Sequence, residues 1–286
     1  MRFPGIILAC ALMLGTAVAR PSVLAAENFY GEVASEVAGP DADVTSILSN
    51  PNQDPHAFEA GPAVARAVAR ADIVVVNGLD YDPWMDRLLA ASPVAGRDVV
   101  RVADLLHARA GENPHIWYTP AAMRLMANAL AARLAARDST HAAGYRARLA
   151  IFLGRMYGLE ADITTLRAHV AGIPVTATEP VFGRMADALR LDMRDVRFQV
   201  AVMNGTEPRA GDVARIEDDL RLRRVRALLF NAQVSDDAAT RLREIAHAAG
   251  VPEVGVAETM PAGTDYVGWM HGELISLRRA LGVPAS

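Results

Sequence analysis

One stretch of this sequence constrains the fold more than any other. From about residue 142 to 170, Tyr145, Leu149, Phe152, Met156, Leu159, Ile163, Leu166 and Val170 recur at steps of three and four residues. That spacing lays one apolar stripe along a single α-helix. At about 1.5 Å of rise per residue the helix is roughly 42 Å long. It is long for a globular helix and could run the length of two lobes.

Strand and helix signals alternate on both sides of it. Before it, Ser22–Ala26, Val44–Leu48, Asp72–Val76 and Asp98–Val102 are short apolar runs near turn residues. Ala63–Ala71 and Trp84–Ala91 read as helices, and Thr119-Pro120 opens another that reaches about Arg137. Thr there offers an N-cap oxygen, and Pro fits the first helical turn, where its missing N–H costs nothing. After the long helix, Ile173–Thr178, Val225–Asn231 and Val254–Ala257 read as strands. Helices fit Val181–Leu191, Ala210–Leu222, Asp236–Ala249 and Tyr266–Leu281. Short β-branched runs separated by helices imply βαβ units and parallel sheets. The expectation is an α/β protein whose second half forms another α/β lobe.

The N-terminus reads as an export signal. Met1-Arg2 is a positive start, Ile6 to Val18 is apolar, and Ala17-Val18-Ala19 is a small-x-small cleavage site. The one cysteine, Cys10, falls inside this segment, so the mature chain has no thiolate for metal or catalysis. Ile7-Leu8-Ala9-Cys10 faintly resembles a lipoprotein box, but its Leu8 is unusual and the preceding apolar run is short, so lipid anchoring is not expected. The net charge of −4 and the absence of a basic stripe argue against nucleic acid.

In open α/β sheets, ligands bind beyond the carboxyl ends of the strands. Glu179 directly follows one predicted strand and Glu258 another; His56 and His115 lie in Pro-containing loops, Asp54-Pro55-His56 and Asn113-Pro114-His115. Two imidazoles and two carboxylates make a plausible donor set for a transition metal. Each residue also has a plainer reading: a solvated loop histidine, or a helix-start carboxylate favoured by the dipole. His107, His141, His169, His247 and His271 are expected to be surface or packing residues.

Six segments stand in order: Glu27-Asn28-Phe29-Tyr30-Gly31, Asp54-Pro55-His56-Ala57-Phe58-Glu59, Asn113-Pro114-His115-Ile116-Trp117-Tyr118, Thr178-Glu179-Pro180-Val181-Phe182, Asn204-Gly205-Thr206-Glu207-Pro208, and Glu258-Thr259-Met260-Pro261 followed by Tyr266-Val267-Gly268-Trp269-Met270. This series resembles the zinc/manganese-type solute-binding proteins of bacterial ABC transporters, the cluster A-I or TroA-like group. The resemblance covers essentially the whole mature chain.

It implies two parallel-sheet α/β lobes, here 20–138 and 171–286, joined by one rigid helix within 139–170, with a metal between the lobes. It places the ligands on His56, His115, Glu179 and Glu258. Glu258 departs from the Asp usual at the last position, and Asp265 is an alternative. The implied function is capture of manganese or zinc in the periplasm by a monomer, and delivery to an ABC transporter permease, with no catalysis.

Ligand softness leaves the metal open. Imidazoles suit zinc, manganese and iron, while carboxylates push toward harder ions. Glu179 in place of His and the lack of a His-rich loop lean toward manganese. A metal-dependent hydrolase is the main rival, but the chain has neither H-E-x-x-H nor G-x-S-x-G. A surface adhesin or metal-delivery protein would share the same fold.

Overall fold

A computed structural model describes residues 20–50, 58–234 and 237–284. The expected leader, residues 1–19, and the Asp54-Pro55-His56 motif lie outside the described residues.

Two four-stranded parallel sheets form the framework. The first holds β1 (Ser22–Glu27), β2 (Asp43–Leu48), β3 (Ile73–Val76) and β4 (Asp98–Arg101) in the order β2-β1-β3-β4. The second holds β5 (Pro174–Ala177), β6 (Asp192–Met193), β7 (Leu228–Asn231) and β8 (Glu253–Val256) in the order β6-β5-β7-β8. The two orders are the same pattern. In each, the chain leaves the first strand, adds an edge strand on one side, and then crosses to build outward on the other. The switch points therefore fall between β1 and β3 and between β5 and β7, where open α/β sheets gather ligands.

Burial follows from the layering. All four residues of β3 are buried, as expected for a parallel strand covered on both faces. Along β1 the faces alternate. Val23 and Ala25 join the core shared with the long helix, while Leu24 and Ala26 pack with Val68, Trp84 and Met85.

The predicted long helix is present over Ala142–Val170. It buries Tyr145, Phe152, Met156, Leu159, Ile163, Leu166 and Val170; Leu149 of the predicted stripe is only half-buried. It packs against helices Asn28–Ala38 and Pro120–Arg137 on one side and against Gly183–Leu189 and Tyr266–Ala280 on the other. Two of its arginines tie it down. Arg148 donates to the carbonyls of Val37 and Ala38 (3.0 and 2.7 Å), closing the C-terminal end of helix Asn28–Ala38. Arg155 reaches Glu36 and Asp265 at 2.6 Å each, clasping segments that precede and follow the long helix.

Several expectations need correction. Val181–Leu191 is not one helix but a 3₁₀ turn, Pro180–Phe182, followed by helix Gly183–Leu189, which Arg190 ends in the left-handed region at φ 55°. Thr119 occupies the N-cap position, but its hydroxyl makes no capping bond; its backbone carbonyl accepts from Ala122 N at 2.8 Å. His107 lies beyond the short helix Val102–Leu105, at φ 53°. Helices Asn28–Ala38 and Val196–Met203 and strand β6 were not anticipated. The first leaves β1 with no capping side chain to mark it, and β6 is too short to show a period. No helix among the described residues is long and apolar enough to cross a membrane.

Candidate metal centre

His115 and Glu258, 143 positions apart in the chain, meet between the two sheets. His115 Nε2 stands 3.5 Å from Glu258 Oε1, and both side chains are essentially inaccessible to water. Each arrives on a loop at the carboxyl end of its sheet. His115 precedes the 3₁₀ turn Ile116–Tyr118, and Glu258 lies two residues beyond β8.

The tautomer of His115 is fixed by its neighbours. Asn113 Nδ2 donates to Pro180 O at 2.7 Å, so its Oδ1 points back to the histidine. That oxygen accepts from His115 N at 3.0 Å and sits 2.6 Å from Nδ1. A protonated Nδ1 satisfies it, and Nε2 is then the nitrogen turned toward Glu258. Nε2 is buried and has no hydrogen bond. Buried polar atoms are nearly always partnered, and a bound ion is one of the explanations for an exception. A neutral imidazole held by an outer amide, with its other nitrogen open, is how proteins present histidine to a metal.

Glu258 is held as firmly. Asn231 Nδ2 donates to Oε2 at 2.9 Å, leaving Oε1 toward His115. Gln233 grips the loop: its Oε1 accepts from the backbone N–H of Glu258 and Thr259, both at 2.8 Å, and its Nε2 donates to Thr259 O at 2.9 Å. Behind the loop, Glu273 accepts from Ala257 N, Trp269 Nε1 and Tyr118 OH. Burial still lifts its carboxyl to about 7, against the lowering effect of those three donors.

Tyr81 completes the wall. Its ring centroid is 6.0 Å from that of His115 and 4.8 Å from that of Trp117. Burial raises its phenol well above the ordinary range, and the carboxylates of Glu258 and Glu27 add to the effect. Trp117 packs edge-on to His115 at 5.2 Å and stacks on Phe29 at 4.6 Å, an aromatic floor that limits water.

Of the four predicted ligands, then, His115 and Glu258 are adjacent. Glu179 is half-buried at the N-cap of the turn Pro180–Phe182, and the Asn113–Pro180 bond links its neighbour to the His115 loop. His56 lies outside the described residues. Asp265 is engaged elsewhere: Oδ1 caps helix Tyr266–Ala280 through Gly268 N at 2.7 Å, and Oδ2 pairs with Arg155. His107, His141, His169 and His247 are exposed, and His271 is half-buried beside Asp162.

Sequence reasoning missed Asn113, Asn231, Gln233 and Tyr81. The one available signal was that Asn113 and Asn231 stand two residues before, or at the strand tip beside, a ligand-bearing loop.

The contacts across the cleft are polar and numerous. Asn28 exchanges two hydrogen bonds with the backbone of Met260 (2.8 and 3.2 Å), Tyr118 OH reaches Ala257 O at 2.6 Å, and Tyr266 OH reaches Trp117 O at 2.6 Å.

Comparison with known proteins places this arrangement in context. Residues 23–280 match the family described as zinc-uptake complex component A, periplasmic. The chain is similar to a manganese-binding lipoprotein of Halalkalibacterium halodurans, at 29% identity over 46% of this chain and 45% of that one. It is also similar to the high-affinity zinc uptake system protein of Paracoccus denitrificans, at 21% identity over 77% and 79%. The chain spans about half the length of the manganese-type relatives it matches. In three dimensions it resembles the periplasmic zinc-binding protein TroA of Treponema pallidum, with a TM-score of 0.78 at 18% identity over 92% of this chain and 99% of that one. The manganese-bound FpvC of Pseudomonas aeruginosa gives 0.75 at 20% identity, with the same coverage.

Proposed function

The chain belongs to the family of periplasmic zinc-uptake complex component A proteins, and from that premise we propose that its cleft captures one divalent transition-metal ion and presents it to the permease of an ABC importer. The family consists of solute-binding proteins rather than enzymes, so the metal-dependent hydrolase falls away.

The observation that carries the proposal is the buried His115 Nε2, without a hydrogen bond and facing the Glu258 carboxylate across the two sheets. In our reading the ligands are His115 and Glu258 together with His56 and Glu179, and the lobes are 20–138 and 171–286 about a connector in 139–170. The metal is cargo: no bond of it is made or broken beyond coordination. Loading requires neutral imidazoles and ionised carboxylates, so acid weakens it. Manganese is the favoured ion, on the two carboxylates in the donor set. Residues 1–19 direct export and are cleaved off after Ala19, without a lipid on Cys10, and the protein works as a monomer outside the cytoplasm.

Metal-free protein titrated with manganese or zinc against a chelator of known affinity tests this directly. One tight equivalent is expected, lost in a His56→Ala, His115→Ala double variant. Unchanged binding by that variant would rule the ligand set out.

A further inference from the structure

Glu27 is the last residue of β1, fully buried, and neither of its carboxylate oxygens has a hydrogen-bond partner. Its charged neighbour makes matters worse. Burial first, and the nearby Asp82 carboxylate second, push the Glu27 carboxyl well above the usual range. Asp82 is itself satisfied by the backbone N–H of Asn77 and Gly78 at 2.7 and 2.8 Å, so it offers Glu27 nothing. A buried carboxyl with no donor and a like-charged neighbour is a poor structural choice, because an apolar side chain would fill the space without the desolvation cost.

Its position has a counterpart. β1 and β5 occupy the same place in their sheets. Glu27 ends β1 at φ −113°, ψ 155°, as the N-cap of the helix that follows; Glu179 follows β5 at φ −143°, ψ 160°, as the N-cap of its turn. The sequences repeat as well: Glu27-Asn28-Phe29-Tyr30-Gly31 against Glu179-Pro180-Val181-Phe182-Gly183. Both glycines are required by close approach. A Cβ on Gly31 would collide with the Ser46 side chain, and one on Gly183 would meet Asn113 Nδ2 at 2.6 Å. The strand beyond the switch repeats too, with a buried asparagine at each tip. Asn77 Nδ2 donates to Pro114 O, beside His115, at 2.9 Å, and Asn231 Nδ2 donates to Glu258. Glu27 therefore stands at the carboxyl end of β1 beside the switch point of its sheet, as Glu179 does beyond β5.

We propose that Glu27 is a further metal-directed side chain, the first-lobe counterpart of Glu179, whose carboxylate turns onto the dication when the cleft is loaded. The inference rests on the metal-binding reading above. A further carboxylate added to those of Glu179 and Glu258 raises both the oxygen share and the coordination number. That favours manganese, which suits oxygen donors, over zinc, which is content with four ligands.

The test compares metal-free wild type with Glu27→Gln and Glu27→Met. Three quantities are read: manganese and zinc affinity by chelator competition, the visible spectrum of the cobalt(II)-loaded protein, and the melting temperature without metal. Manganese affinity should fall by about tenfold or more in both variants, the scale seen when a supporting group of a metal site is lost. Zinc affinity should fall less. Cobalt absorption should intensify as the coordination number drops. The metal-free Glu27→Met protein should melt no lower than wild type, since it loses only an unpartnered carboxyl. If wild type binds while both variants match it in affinity and cobalt spectrum, this inference fails alone. The same holds if the variants merely melt lower with affinity unchanged. If wild type binds neither ion, the metal reading fails and takes this inference with it.

Discussion

Replacing Asn113 with Ala isolates the histidine-orienting amide from the ligands themselves. The change removes the acceptor at 2.6 Å from His115 Nδ1, the acceptor for His115 N, and the donor to Pro180 O. Without the first, the imidazole is free to carry its proton on Nε2, the atom we propose binds metal. Loss of such an outer partner costs about 10- to 100-fold in metal affinity. At a free metal concentration of 100 times the wild-type Kd, binding stabilises wild type by about 2.7 kcal/mol, and a 100-fold weaker variant by only about 0.4 kcal/mol. At roughly 2–4 °C per kcal/mol, the metal-induced rise in Tm should shrink by about 5–9 °C. The metal-free variant should also be less stable by about 1–3 kcal/mol, because buried partners are left unmet. Calorimetric melting with and without manganese measures both quantities. Asn113→Asp is the control: it restores an acceptor for Nδ1 but not the donor to Pro180 O, so it should recover affinity while remaining destabilised. If Asn113→Ala showed the full wild-type metal shift, the tautomer reasoning would be refuted.

Three further outcomes are expected. His115→Ala should abolish tight binding with a near-native far-ultraviolet spectrum, whereas His107→Ala and His247→Ala, at exposed positions, should titrate like wild type. Asp265→Ala should lose about 0.5–2 kcal/mol of stability as a helix cap is removed, with metal affinity intact; a large affinity loss would return Asp265 to the ligand set. Glu32 is lifted to about 8 by burial, then by the hydrogen bond and charge of Glu36, with Asp265 adding to it and Tyr266 N opposing it. A carboxyl raised in the folded state holds its proton there while the unfolded chain releases it, so the stability it contributes is complete below about 4.5 and drains away as pH rises toward 8. Glu32→Gln should therefore flatten the decline in Tm of metal-free protein across that window, and parallel curves for the two proteins would contradict this.

Much of the architecture was legible because periodicity survives in sequence. The stripe from Tyr145 to Val170 and the β-branched runs at Asp72–Val76 and Val225–Asn231 announce their elements before any contact is known. Glu258 could be picked out because strand ends are where ligands gather, and His115 because it lies in a Pro-containing loop within a recognisable motif; the structure brings the two side by side. Their supports could not. Asn113 matters through Pro180, and Asn231 and Gln233 matter through Glu258, so their roles exist only once the sheets are placed side by side. Asp265 stood as an alternative to Glu258, and a helix cap and Arg155 account for it. The likeness of Glu27 to Glu179 is carried by a glutamate and a glycine four residues on, with an aromatic before the glycine. That is too little to stand out before the matching strand orders show where to look.

The passage between lobes through one helix also orders events in time. Paired residues within a sheet stand between 18 and 52 positions apart, as Pro174 with Asp192 and Thr176 with Leu228 do, whereas those across the cleft join residues such as Asn28 with Met260 and Glu32 with Tyr266, 232 and 234 positions apart. Closing so long a span is the most demanding step in chain entropy, and it brings no reward until both sheets exist. The cleft is therefore expected to close after the sheets have formed, and an ion that binds only there is expected to slow unfolding while leaving the folding rate alone. If the proposed cargo binds there, it lengthens the life of the folded protein as well as filling the site.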